Sequence, residues 1–292
     1  MSNSNITALF PNPDASSIVE LQAAQIVAPM VNGEGMTPDE MMTGGGVRVI
    51  KFLIDGSSSM SPIAPTLRNL ISDDLPKSIM GASEDDIAAL RLGGAVFSDD
   101  ITPIWGKKDP EGNGSTWYHA PINLPRLESR EYSPETQGGM TSLYRCILEE
   151  TPRAVLFADR LQAESGTQPD IDIMVISDGL NNMHPRNPDQ VRTMVQGADK
   201  TRVRFCFFYF DTDVYNTDKA SIEHREREIR QMVVQGMGFD EENFMPFMAK
   251  PGETKQELHE RLRRFLQMVS KTSASKGMSA VQAAACFEND II

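Results

Sequence analysis

Cysteine is scarce in this chain, and its three copies, Cys146, Cys206 and Cys286, stand far apart. An odd, scattered set does not make the disulfide framework of a small secreted domain. Cys146 and Cys206 fall in apolar segments, where a buried free thiol is the ordinary state, and this favours a reducing, cytoplasmic setting. Long apolar runs are lacking too. No window approaches the roughly 18 residues of a membrane span. The stretch Met1-Ser-Asn-Ser-Asn-Ile-Thr7 has neither a basic region nor a long apolar core, so no secretory signal is expected there.

Positive charge is in short supply: 28 Lys and Arg against 41 Asp and Glu, a net charge of -13. A nucleic-acid-binding domain carries a basic stripe, and none is visible. The densest basic run, His259-Glu-Arg-Leu-Arg-Arg264, has acids beside it and reads as a solvated helix face. Neither nucleic acid nor an anionic membrane is an expected partner; the acidity suits a cation or a basic partner. The four histidines are scattered, and none joins cysteine in a zinc-binding spacing. The two Gly-x-Gly pairs, Gly33/Gly35 and Gly112/Gly114, follow no strand, so there is no dinucleotide fingerprint.

What is present is a core. Of 292 residues, 40% are hydrophobic, enough for one large domain or two small ones. Val47-Arg-Val-Ile-Lys-Phe-Leu-Ile-Asp55 reads as a buried strand, and Gly56-Ser-Ser-Ser-Met60 follows at once. Asp55, Ser57 and Ser59 alternate, so in an extended chain one carboxylate and two hydroxyls share a side. Oxygen groups at a strand's carboxyl end suit a hard divalent cation. The competing reading is a turn in which the same oxygens satisfy backbone donors at a helix start.

Further strands are expected at 90–97, 101–104, 171–177, 203–210 and 243–248. The 101–104 strand follows so closely that it pairs as an antiparallel edge. Helices are expected after Ser61-Pro62 (stripe Ile63, Leu67, Leu70, Ile71), from Thr141 with a bend or break at Pro152, after Asn187-Pro188, over 219–235 and over 255–270. Residues 1–46 read as a partly flexible arm with a short helix at 17–28, 47–270 as the main domain, and 271–292 as a tail with a short helix near 280–287. The 106–140 segment reads as a long functional loop. Strands alternating with helices predict an α/β, three-layer, doubly wound, mostly parallel sheet of about six strands, with helices on both faces. Such sheets bind ligands beyond the carboxyl ends of the strands, where the winding reverses.

Here the residues resemble a known family. Asp55-Gly-Ser-Ser-Ser59 matches the Asp-x-Ser-x-Ser signature of von Willebrand factor A domains, whose sheet is of this Rossmann-like kind. Gly138-Gly-Met-Thr-Ser-Leu-Tyr144 is similar to the family's Gly-Gly-Thr-x-Leu-Tyr turn, with Met140 inserted. Ser177-Asp178-Gly179 is similar to its third element. The resemblance covers about residues 46–270. It implies a metal-ion-dependent adhesion site in which Asp55, Ser57, Ser59, Thr141 and Asp178 hold Mg²⁺, or Mn²⁺ or Ca²⁺ in its place. It also implies a non-enzymatic role, with an Asp or Glu carboxylate of a partner protein taking the open metal position. Intracellular members of the family serve assemblies, among them complexes with MoxR-type AAA+ ATPases and stress-response complexes.

Two other readings compete. A metal-dependent hydrolase would use the same crevice, with His184 for proton transfer. A structural subunit would keep a vestigial site and assemble through the arm. Asp99, Asp100, Asp211 and Asp213 also sit at predicted strand ends, as rim acids or ordinary turn residues. Met60, Met140 and Met183 flank the three motif segments and could form an adaptable apolar rim.

Overall fold

The computed structural model describes residues 3–30, 48–75, 90–105, 118–120, 124–137, 139–179, 181–211, 218–248, 250, 254, 256–257 and 260–265. The expected helix near 280–287, Asp213, Cys286 and much of the 106–140 loop lie outside them.

Six strands form one sheet: β1 (Arg48–Asp55), β2 (Leu90–Phe97), β3 (Ile101–Ile104), β4 (Asp170–Ser177), β5 (Val203–Phe210) and β6 (Phe244–Phe247). Their spatial order is β3-β2-β1-β4-β5-β6. All neighbours are parallel except β2 and β3, which pair antiparallel at the edge. The chain winds one way from β1 to β2 and the other way from β4 onward, so the reversal falls between β1 and β4. This is the doubly wound α/β arrangement that the alternation of elements predicts.

Both faces are covered, and the strands show it in their composition. Val49 and Leu53 join one core cluster while Ile50, Phe52 and Ile54 join the other. A strand buried on both sides has no polar alternation to display, which is why β1 and β5 are mostly apolar, with Lys51 and Arg204 as internal exceptions. The first face packs against α1 (Asn3–Leu9), α2 (Pro13–Met30), α5 (Leu143–Ser165), α6 (Asp189–Gly197) and α7 (Lys219–Arg230). The second packs against α3 (Ala64–Asn69), Tyr132 and the helical residues 260–265. A short α4 (Pro134–Gln137) lies between β3 and α5 in the chain.

Two expectations change, and the segment before β1 gains detail. Its described residues form two helices, with Leu9, Phe10 and Val19 in the core. The start of α2 had a legible signal: Asn12 accepts the Asp14 N–H at 2.9 Å, and Pro13 takes the first helical position. Pro152 does not break α5, which continues to Ser165 and ends at Gly166 in the left-handed conformation. Thr151, Ala154 and Val155 around the proline are fully buried, and that packing offsets the lost backbone bond. Helix α3 starts at Ala64 rather than Ser61, because a 3-10 turn at Ser58–Met60 comes first.

A charged residue interrupts β1. Lys51 is fully buried on the α5 face and pairs with Glu150 of α5 at 2.6 Å, while Tyr118 presents its ring 5.4 Å from the ammonium. Arg153 reaches the same carboxylate at 3.1 Å. At the amino-terminal end of the sheet Asp172 pairs with both Arg48 and Arg204, the latter at 2.8 Å. Asp211, an expected rim acid, is held by Arg225 through contacts of 3.0 and 2.8 Å. That bidentate pair makes it a structural ion-pair member rather than a free acid at the crevice.

Candidate metal site at the carboxyl ends of β1 and β4

The period of two along each strand places the key groups. Asp55 continues the Val49-Lys51-Leu53 row, and Ser177 continues Ile171-Ile173-Val175, so both point to one face. The strands are in register through Ile54 and Ile176, which sets Asp55 and Ser177 level one step further on. The Ser177 hydroxyl donates to Asp55 Oδ2 at 2.5 Å and accepts the Gly179 N–H at 2.9 Å.

The other Asp55 oxygen accepts the Ser57 N–H at 2.8 Å. Ser57 is extended, and the 3-10 turn then brings Ser59 round so that the two hydroxyls meet at 3.0 Å. The convergence expected from strand-like alternation is thus achieved by a turn. Part of the competing reading also holds, since Asp55 does satisfy a backbone donor. Ser61 contributes no side-chain cap to α3; its hydroxyl bonds the Ser58 carbonyl at 2.6 Å.

Asp55 is fully buried, and Asp178 is 5% exposed. Burial, followed by the charge of Asp178, pushes the Asp55 carboxyl up to about 7, against the opposing hydrogen bonds from Ser177 and Ser57. None of these influences is a cation. Two acids and several hydroxyl oxygens gathered in a buried place fit a hard divalent ion, which would neutralise the repulsion that now favours protonation.

Thr141 comes to this end of the sheet through the loop after β4. Its N–H donates to Asn182 Oδ1 at 2.6 Å, and its carbonyl accepts the N–H groups of Asn182 and Met183 at 3.1 and 3.3 Å. One residue along the chain from Asn182, Asn181 accepts the Tyr144 N–H at 3.1 Å and so caps α5 from outside the helix. On the opposite side Asp99, just beyond β2, accepts the Met140 N–H at 2.6 Å. Gly56 is tied to β2 as well, its N–H reaching the Phe97 carbonyl at 2.8 Å. The three motif segments are therefore cross-linked by hydrogen bonds between loops that are distant in sequence.

Tyr132 supports the floor. Its hydroxyl donates to the Asp55 carbonyl at 3.0 Å from a fully buried position. Arg68 of α3 holds the Tyr132 carbonyl at 2.7 Å and Glu135 at 2.8 Å. The described part of the 106–140 loop thus props up the site from below. Sequence reasoning passed over Tyr132, Ser177, Asn181 and Asn182 as functional residues, and it offered Asp99 as a rim acid or turn residue rather than as the acceptor of the Met140 N–H. Ser177 had a signal, because its place beside Asp178 at the end of an apolar run puts it in line with Asp55.

The methionine rim is not one unit. Met60 is fully buried in the α3 core, Met183 is half-buried and Met140 is exposed. His184, the expected proton-transfer candidate, is an exposed loop residue. His119 bonds the Trp105 carbonyl at 3.1 Å in a buried setting. Cys146 and Cys206 are free and buried, as expected. Among the described residues no helix is long and apolar enough to cross a membrane.

No family profile matches the chain. No curated protein matches it either. Solved structures do. A proximal thread matrix protein from the mussel byssus is similar at 16% identity and a TM-score of 0.41, over 79% of this chain and 47% of the mussel protein. This chain therefore spans about half the length of that protein, another structure of which has a zinc-occupied MIDAS motif. The pilus adhesin SpaC of Lactobacillus rhamnosus GG is similar at 14% identity and a TM-score of 0.46, over 80% of this chain and 31% of the adhesin. Manganese-loaded TRAP protein of Plasmodium vivax is similar at 13% identity and a TM-score of 0.38, over 74% of this chain and 73% of that one.

Proposed function

We propose that this chain is a non-enzymatic binding module that grips a partner protein through a divalent cation, with Mg²⁺ the expected ion. Asp55, Ser57, Ser59, Thr141 and Asp178 would hold it, and a carboxylate of the partner would complete its shell. One observation carries the reading: Asp55 is buried facing the charge of a second buried acid, beside a pair of convergent serine hydroxyls. Mg²⁺ keeps some waters and favours near-octahedral oxygen coordination. A ligand set with only two carboxylates leaves it electrophilic enough to recruit another anion.

The motif resemblance supports the same reading and adds the assembly setting. Association with a MoxR-type AAA+ ATPase or a stress-response complex is drawn from that resemblance alone. A cytoplasmic location is supported by the free, buried Cys146 and Cys206. The hydrolase alternative needs a proton-transfer group at the crevice, and His184 is solvent-exposed. Assembly through a free amino-terminal arm is disfavoured by the burial of Leu9, Phe10 and Val19.

Calorimetric titration of Mg²⁺ and Mn²⁺ into the wild type and Asp55→Ala tests the proposal. Saturable binding by the wild type, lost in the variant, is expected. A wild type giving only heats of dilution overturns it.

A further inference from the structure

We infer that Asp99 is a positioning residue for the metal site, fixing the turn that delivers Thr141. The inference rests on the metal-site reading above.

Thr141 is held from two sides. Asn182 grips its backbone from the β4 side, through the 2.6 Å bond to its N–H. Asp99 grips the preceding residue from the β2 side, through the 2.6 Å bond from the Met140 N–H. The turn is shaped around that carboxylate. A Cβ built on Gly139 would lie 2.5 Å from Asp99 Oδ2 and 2.6 Å from Oδ1 and Cγ. Real Cβ atoms do not approach so closely, so the glycine is what lets the carboxylate seat against the backbone.

This explains how the turn accommodates Met140, the residue inserted between Gly139 and Thr141. An extra residue lengthens the path to the threonine and loosens its placement. Anchoring its N–H to Asp99 removes that slack while the Met140 side chain stays out in solvent, 47% exposed. Asp99 thus does for Thr141 what outer partners do for metal ligands generally: it orients without coordinating.

Three substitutions separate this role from its rivals. Asp99→Asn keeps an oxygen acceptor and loses the charge; Asp99→Ala loses both. Gly139→Ala keeps the charge but pushes the carboxylate out of its seat. Each is titrated with Mn²⁺ by calorimetry, and amide hydrogen exchange over 139–142 is followed in the metal-free protein. Positioning predicts affinity within about threefold of wild type for Asp99→Asn and losses of about tenfold or more for Asp99→Ala and Gly139→Ala. Exchange should quicken in the latter two and not in Asp99→Asn. The double variant Asp99→Ala, Gly139→Ala should be no worse than either single one, because both remove the same contact.

Equal losses in Asp99→Asn and Asp99→Ala would show that charge matters and geometry does not, overturning the inference. So would wild-type affinity in Asp99→Ala. Either result leaves the metal site standing. A wild type that binds no Mn²⁺ removes the site itself, and the inference with it.

Discussion

Ser177 and Asp55 are joined by a 2.5 Å hydrogen bond between neighbouring strands, and the serine donates its proton to the carboxylate. A bond this short, inside the protein, favours an ionised acceptor. It opposes the burial and the Asp178 charge that push Asp55 the other way. In the proposed site Ser177 would therefore keep Asp55 available to a cation without needing to touch the cation.

Replacing Ser177 with alanine should cost about 1–3 kcal/mol, since the Gly179 N–H also loses its buried acceptor. Denaturant melts measure that loss. Cation affinity should fall most below pH 7, where ions must displace a more tightly held proton, and should recover as pH rises. A deficit that is the same at pH 6 and pH 8.5 would contradict this account.

Asp55 should also set a pH dependence in the metal-free protein. Its carboxyl moves from 3.8 to about 7 on folding, so the native state holds the proton more tightly. The stabilisation this confers is complete below 3.8 and is lost as pH rises through about 7. Thermal melts in chelator should show that decline for the wild type and lack it for Asp55→Asn. Saturating Mg²⁺ should flatten the wild-type curve, and metal addition at pH 6 should release protons.

Gly179 follows Asp178 with φ at 82°, and a Cβ there would sit 2.1 Å from Ile229 Cδ1 of α7. Gly179→Ala combines backbone strain with a clash against a core residue, together about 1–3 kcal/mol. Displacement of Asp178 should weaken Mn²⁺ binding as well. Gly179→Ala/Ile229→Val relieves part of the clash but not the strain, so it should regain only part of the stability.

The Lys51–Glu150 pair gives a stability test far from the cation. Glu150→Leu takes away the carboxylate that buried Lys51 faces at 2.6 Å, at about 3–5 kcal/mol, whereas Lys51→Met leaves Glu150 with Arg153 and should cost less. Chemical denaturation should rank the two in that order, with Lys51→Met/Glu150→Leu less destabilised than the two single losses combined. Additive losses would mean that the two side chains are not energetically linked.

The sheet was legible because its strands are buried on both faces: residues 173–176 of β4 and 205–210 of β5 are continuous apolar runs and admit few other readings. The five proposed ligands were legible because their spacing is local within each motif. Tyr132, Asn181 and Asn182 were not, and Asp99 was legible only as a rim acid or turn residue, because each acts through a hydrogen bond to a segment distant in sequence. Such bonds follow no period. Lys51 within β1 is explained only by Glu150 of α5, a partner far along the chain that no strand period reveals. Helix α2 escaped full notice because its apolar residues form no single stripe, although Asn12-Pro13 marks its start.

Arg48 and Asp172 lie toward the other ends of β1 and β4, the strands that carry Asp55 and Ser177, and Arg204 of neighbouring β5 completes their cluster. A slip of β4 by one residue would turn Asp172 to the opposite face and strand two arginines. It would also move Ser177 out of level with Asp55. The ion cluster therefore works as an index mark: charge matched at one end of the sheet sets the alignment of oxygens at the other. Neutralising Asp172 should blur the site from the full length of a strand away.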